Sequence, residues 1–102
     1  MGVPPKPYYE LGRIQALVDL DMFIVTKSAS WSAFALGFDT DDIKRCIRGL
    51  TPQMLYKSME STQQPGMWQD VYRTELDNKA IYLKLQVQPG DGWAVVVSFK
   101  ER

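Results

Sequence analysis

The sequence predicts an α+β fold in which N-terminal helices pack on one face of a mainly antiparallel C-terminal β-meander. In the first half of the chain, apolar residues recur at helical spacing, whereas from Leu55 onwards they tend to alternate with polar ones. Turn-like separators then divide the second half into four short segments, and connections this short join antiparallel strands. The length of 102 residues suits one core. We therefore expect a single domain, 1–102, that begins with an extended Pro-rich lead-in over residues 1–10.

The first elements predicted are a helix, a short strand and a second helix. Apolar residues between Leu11 and Val18 lie on one helical face, and Asp19 and Asp21 end the run. Residues 23–26 are β-prone. Residues 28–37 indicate a short helix with Ser30 as a possible N-cap and Gly37 as a stop.

The third helix has the clearest signals. Thr40 is the predicted N-cap, acidic residues 41–42 suit the positive end of the helix dipole, and Gly49 ends the helix. Its apolar stripe includes Cys46, which we therefore assign to the core and not to a nucleophile. The basic residues Lys44, Arg45 and Arg48 are interpreted as the dipole-complementing end of the helix. A brief helical turn follows at Pro52.

Four strands are predicted in the second half. They cover residues 55–62, 67–75, 80–88 and 93–101, and the separators between them are Gln63–Gly66, Leu76–Lys79 and Pro89–Gly92. Burying Ile81, Leu83, Leu85 and Val87 together with Val95, Val97 and Phe99 would place Tyr82, Lys84, Ser98 and Lys100 on the opposite face.

Tight turns would also fix neighbours on that face. If the Pro89–Gly92 loop is tight, Tyr82 and Lys100 are near cross-strand neighbours, within about 5 Å at the backbone. A tight turn at 76–79 puts Arg73 beside Tyr82. The pattern leaves the orientation of the first two strands open, because each of their two rows mixes polar and apolar residues.

Composition limits the possible chemistry. Lys plus Arg and Asp plus Glu each total 12, so any nucleic-acid site must be a local basic cluster. The absence of His removes the usual acid–base group, and a single Cys excludes an internal disulfide and a cysteine-rich zinc site. Without an apolar leader or membrane segment, a cytoplasmic setting is expected.

A face of Lys, Tyr, Arg and Gln residues suits metal-independent RNA cleavage. RNA carries its own nucleophile, the 2′-OH, so the protein must accept one proton, donate another and stabilise a charged phosphorane. Neighbouring cations lower the pKa of a lysine and favour phenolate, which brings both groups nearer to neutral pH. The alternative is a merely solvated sheet face. For Trp31, Trp68 and Trp93, we expect positions in the core or at its rim.

Four segments resemble the MqsR toxin family in order and approximate spacing. They are Leu55-Tyr-Lys-Ser-Met59, Trp68-Gln-Asp-Val-Tyr-Arg73, Ile81-Tyr-Leu-Lys84 and Val97-Ser-Phe-Lys-Glu101. The resemblance implies a RelE-like fold, cleavage of mRNA at GC-containing triplets such as GCU without metal or cofactor, and a cognate antitoxin. It implies catalytic roles for Lys57, Gln69, Tyr82 and Lys100, and a phosphate contact by Arg73. Lys84 shares the Tyr82–Lys100 face and is grouped with the substrate-binding residues.

Two other functions compete with an endoribonuclease toxin. One is a noncatalytic partner-binding domain with the same fold, and the other is an RNA-binding module. The presence of all four residues to which the family resemblance gives a catalytic role favours the nuclease, and the balanced charge disfavours a plain RNA-binding module.

Overall fold

A computed structural model describes residues 5–102, and its elements follow the predicted order. They are α1 (Leu11–Asp19), β1 (Phe23–Val25), α2 (Lys27–Ala35), α3 (Thr40–Arg48), a 3-10 turn (Pro52–Met54), β2 (Leu55–Glu60), β3 (Trp68–Leu76), β4 (Lys79–Val87) and β5 (Ala94–Glu101). The predicted α+β architecture is confirmed. Part of the predicted lead-in, residues 1–4, lies outside the described residues.

The strands form one five-stranded sheet in the order β1-β5-β4-β3-β2. The antiparallel meander predicted for β2 to β5 is confirmed. The sequence reading did not assign a partner to β1, which pairs in parallel with β5 at the edge of the sheet. β5, the last strand of the fold, therefore has a neighbour on each side.

The core lies between the three helices and one face of the sheet. Ile14 and Val18 of α1 are fully buried, as is Ile47 of α3. From the sheet, Ile81, Leu83 and Leu85 of β4 enter the same cluster, which confirms the predicted apolar row. Cys46 also belongs to this core, and burial raises the pKa of its thiol to about 11, so it is not an activated nucleophile.

Both predicted helix N-caps were wrong. In α3 the cap is Asp39, whose carboxylate accepts from the backbone N–H of Asp42 while the Asp42 carboxylate accepts from the N–H of Asp39. This reciprocal capping box satisfies two donors, which Thr40 as a lone cap would not do. In α2 the cap is Thr26, whose hydroxyl accepts from the N–H of Ala29, so the helix begins before Ser30.

The prediction for the tryptophans holds for two of them, since Trp68 and Trp93 are partly buried. It was wrong for Trp31, which is 78% exposed, as is Phe34 at 79%. The buried face of α2 is formed by Ala29 and Ala33, which are four residues apart and small enough to admit a close approach to the core. Because these two alanines face the core, helical spacing places Trp31 and Phe34 on the outward side of α2.

A β-bulge divides β5 and overturns part of the predicted face assignment. Lys84 pairs with Ser98, but the next residue, Leu85, pairs with Val96, so Val97 is the extra residue. The core row of β5 is therefore Ala94, Val96 and Phe99, and not Val95, Val97 and Phe99. The predicted positions of Ser98 and Lys100 are unaffected, because both lie on the far side of the bulge.

A buried carboxylate fixes the N-terminal segment to the sheet. Asp70 is fully buried and accepts hydrogen bonds from the backbone N–H groups of Tyr8 and Tyr9, each at 2.9 Å, and from the hydroxyl of Ser58. The Tyr8 ring stacks on Trp68 with centroids 5.6 Å apart. The segment before α1 is thus held at the β2–β3 end of the sheet.

The basic residues of α3 are neutralised by ion pairs. Lys44 pairs with Asp21 at the end of α1, and Arg48 pairs with Asp19. Arg45 binds Asp42 and also Asp77 in the β3–β4 turn, and its guanidinium lowers the pKa of the Asp77 carboxyl. Arg45 and Arg48 do lie in the last turn of the helix, as predicted. Among residues 5–102, no helix is long and apolar enough to cross a membrane.

Candidate functional site

The face of the sheet opposite the core, here called the open face, carries the predicted site residues. Strand pairing settles the two orientations that the sequence left open. Lys57 of β2 pairs with Val71 of β3, which in turn pairs with Lys84 of β4. Gln69 lies two residues before Val71 and Arg73 lies two residues after it, so all three share one face of β3.

Three cross-strand rows order the open face. The first row is Arg73, Tyr82 and Lys100, the second row is Lys57, Val71, Lys84 and Ser98, and the third row is Met59, Gln69, Gln86 and Val95. These rows lie two residues apart along β3 and β4, which corresponds to about 6–7 Å.

The first row joins the two residues predicted as cross-strand neighbours. Tyr82 pairs directly with Lys100 on one side and with Arg73 on the other, which confirms both expectations. The ammonium nitrogen of Lys100 lies 5.0 Å from the centroid of the Tyr82 ring. A phenol is thus held between two cations, an arrangement that attracts a phosphate.

The β3–β4 turn sets the register of this row. Asp77 and Asn78 both have positive φ, at 50° and 69°, the signature of a two-residue type I′ hairpin. Both residue types tolerate this conformation, and its twist matches that of the flanking strands. The turn therefore fixes Arg73 opposite Tyr82.

The second row contains two lysines around a buried valine. Val71 is fully buried although it lies on the open face. Lys84 is partly buried, and its pKa is lowered first by burial and then by the charges of Lys100 and Lys57. Lys84 therefore releases its proton more readily than an ordinary exposed lysine does.

The third row is polar but buried. The Nε2 of Gln69 donates to the Oε1 of Gln86 at 2.9 Å, and each side chain is only 7% exposed. Gln69 is four residues from Arg73 along β3, a backbone distance of about 13 Å. The structure thus brings Lys57, Arg73, Tyr82, Lys84 and Lys100 into two adjacent rows and places Gln69 beyond them.

Tyr56 is a residue of this face that the sequence analysis missed. Leu55 pairs with Tyr72 and Lys57 with Val71, so Tyr56 is the extra residue of a bulge in β2. Its ring lies under the guanidinium of Arg73, with the central carbon 3.5 Å from the ring centroid. Alternation alone assigns Tyr56 to the core side, and only the bulge turns it toward Arg73.

The charges of the open face contrast with those of α3. Within residues 5–102, the cations Lys57, Arg73, Lys84 and Lys100 make no ion pair with a carboxylate. Glu75 shares the open face one step beyond Arg73, towards the β3–β4 turn. The described residues contain no group of three His, Cys, Asp or Glu side chains that could hold a metal ion. The arrangement is suited to binding an anion.

Comparisons with known proteins identify the family of this chain. A family model described as "Motility quorum-sensing regulator, toxin of MqsA" matches residues 6–101. The mRNA interferase toxin MqsR of Escherichia coli (strain K12) is 36% identical over 96 residues, which are 94% of this chain and 95% of that protein. The class of protein is therefore a toxin with endoribonuclease activity. Within that class, the chain belongs to the MqsR toxin family, which confirms the family resemblance.

Proposed function

We propose that this protein is the toxin of a type II toxin–antitoxin system and cleaves mRNA at GC-containing triplets such as GCU. The observation that carries the proposal is the first row, in which Tyr82 is paired between Arg73 and Lys100. The lysines of the second row extend the same positive surface. A phosphodiester of RNA, with its 2′-OH, is a substrate that fits these groups.

The chemistry needs no bound group beyond these side chains. The 2′-oxygen attacks the adjacent phosphorus and loses its proton to one residue of the site, while the bond to the 5′-oxygen breaks and that oxygen receives a proton from another. Tyr82, Lys100 and Lys57 are the residues that we assign to these transfers, with Arg73 and Lys84 binding the phosphate. The products are a 2′,3′-cyclic phosphate and a 5′-hydroxyl.

The test is incubation of the purified protein with a defined single-stranded RNA in EDTA, followed by end-group analysis. We expect cleavage to persist and to leave a cyclic phosphate and a 5′-hydroxyl. Products that carry a 5′-phosphate, or cleavage that stops when divalent metal is chelated, would contradict the mechanism.

We also propose a cognate antitoxin as the protein partner. The matching family is described as the toxin of MqsA, which supports a partner of that type. The outer edges of β1 and β2 are candidate surfaces, because an edge strand can pair with an added strand. The Pro-rich N-terminus and the Pro89–Gly92 loop are candidates for setting which antitoxin fits.

Expression in a bacterial host tests the toxin assignment. The unmutated chain alone should arrest growth, and co-expression of the neighbouring gene should restore it. Normal growth despite strong, soluble expression would instead favour a noncatalytic partner-binding domain.

A further inference from the structure

A polar pocket of about 360 Å³ opens beside the second and third rows. It is lined on the sheet by Gln69, Lys84 and Ser98, and at its sides by Thr26 and Ser28 at the start of α2 and by residues 61–63 after β2. Sites for small molecules occupy roughly 300–1,000 Å³, so this pocket suits one nucleoside and not a run of stacked bases.

The Gln69 side chain is positioned before any ligand arrives. It is more than nine-tenths buried, and its Nε2 is held by the equally buried Gln86. With the amide oriented in this way, its Oε1 is the acceptor available to the pocket. A buried amide locked by a second amide cannot turn to suit different partners, so it discriminates between ligands.

Gln69 lies two rows away from Tyr82 and Lys100 on the open face. Its backbone is about 13 Å from that of Arg73, whereas its side chain lines the pocket directly. Lys84 lies between the two sites, since it belongs to the second row and also lines the pocket. An RNA strand with its scissile phosphate on the first row can therefore place a nearby base in the pocket.

We propose that this pocket binds one nucleobase with an exocyclic amino group, next to the cleaved bond. Gln69 Oε1 accepts from the amino group of the base, Lys84 at the edge of the pocket binds the neighbouring phosphate, and Gln86 is a positioning residue for Gln69. Gln69 is then a specificity-determining residue and not an acid or base. The inference rests on the proposed cleavage of RNA.

The experiment is cleavage of a randomised single-stranded RNA pool, with sequencing of the product ends. For Gln69→Met, we expect the base preference at one position near the cut to fall by about 10-fold or more, as for a lost base contact. Preferences at other positions should remain. The matched variant Lys100→Ala should slow all sequences alike and keep every preference.

A chemically altered substrate gives a second measurement that does not depend on folding of the Gln69 variant. At the position concerned, the preferred base is replaced by its counterpart without the amino group, such as inosine for guanosine. The unmutated protein should cleave this altered substrate about 10-fold more slowly than the natural one. The Gln69→Met variant should cleave the two substrates at nearly equal rates.

Three results would overturn the inference. In the first, Gln69→Met slows all sequences equally and keeps its preferences, which would place Gln69 in the chemistry. In the second, the unmutated protein tolerates removal of the amino group at every position. In the third, the unmutated protein cleaves no RNA, which would also overturn the proposed function, whereas the first two results leave that function intact.

Discussion

At the scale of single residues, the open face gathers groups that repel one another. Lys57, Lys84 and Lys100 lie in adjacent rows, and the pKa of Lys84 is lowered by burial and by the other two charges. A solvated surface would gain stability by separating or pairing these charges, as α3 does with Asp19 and Asp21. Binding of the phosphate groups of the proposed RNA substrate would offset this repulsion.

Tyr82→Phe and Lys100→Ala should each reduce the rate of RNA cleavage by about 10²-fold or more, the scale for loss of an acid–base group or a transition-state contact. Lys57→Ala should behave similarly. Thermal unfolding should change little, because Lys100 is exposed and Tyr82 is only partly buried. Lys44→Ala, on α3 and paired with Asp21, is the control. If the Tyr82→Phe and Lys100→Ala variants cleaved RNA as fast as the unmutated protein, the site assignment would be refuted.

Lys84→Met should stabilise the protein and weaken RNA binding. Because the folded-state pKa lies below the ordinary value of 10.5, the unfolded chain holds the proton more tightly, and the charged lysine destabilises the fold at neutral pH. That penalty disappears as pH rises toward 10.5, so the stability gained by Lys84→Met should shrink over the same range. Urea unfolding of both proteins at several pH values measures this difference in the free energy of unfolding. A destabilised Lys84→Met protein at pH 7 would contradict this account.

At the scale of elements, turns and bulges decide which side chains reach the open face. The β3–β4 turn aligns Arg73 with Tyr82, and the bulge at Tyr56 brings a ring under Arg73. The bulge at Val97 shifts the alternation of β5, so that Ser98 and Lys100 face outward although Val96 belongs to the core row. The site therefore depends on local irregularities as much as on regular pairing.

Asn78→Val should lower the free energy of unfolding by about 1–2 kcal/mol, because a β-branched residue is strained at φ of 69°. Asn78→Gly keeps the turn conformation accessible and should stay within about 0.5 kcal/mol of the unmutated protein. Urea denaturation compares the two variants. Equal stability of all three proteins would show that the turn does not constrain the β3–β4 register.

The sequence predicts those elements whose signals are local. Alternation in Ile81–Leu85 and the Asp-Asn turn place Tyr82 beside Arg73, and the short connection at Pro89–Gly92 places it near Lys100. The run Val95-Val-Val97 carries no alternation, so the bulge within it is not readable. Asp70 was assigned to an undecided row because its partners, Tyr8 and Tyr9, lie about 60 residues away. The large ring of Trp31 suggests burial, but the spacing of Ala29 and Ala33 determines which face of α2 is buried.

At the scale of the whole molecule, a net charge of zero conceals an uneven distribution. The cations of α3 are neutralised by acidic neighbours, whereas the four cations of the open face make no ion pair in the described part of the chain. Balanced composition is therefore compatible with a local anion-binding surface.

Binding of a non-cleavable RNA, with 2′-O-methyl groups throughout, should weaken with salt on a logarithmic slope of roughly −2 to −3, as expected for three or four phosphate contacts by a single strand. Lys57→Ala should reduce the magnitude of that slope by about 0.7. Lys44→Ala is the matched control, because Lys44 is already paired with Asp21. Equal effects of the two substitutions would mean that the open face does not bind the RNA backbone.

The central position of β5 has a consequence for the order of assembly during synthesis. β5 is made after every other element of the fold, yet it lies between β1 and β4. While the nascent chain lacks β5, β1 has no strand to pair with, and Tyr82 has no lysine opposite it. Among the described elements, the open face is therefore completed only once β5 has been made, and loss of β5 removes both the pairing partner of β1 and the cation beside the phenol.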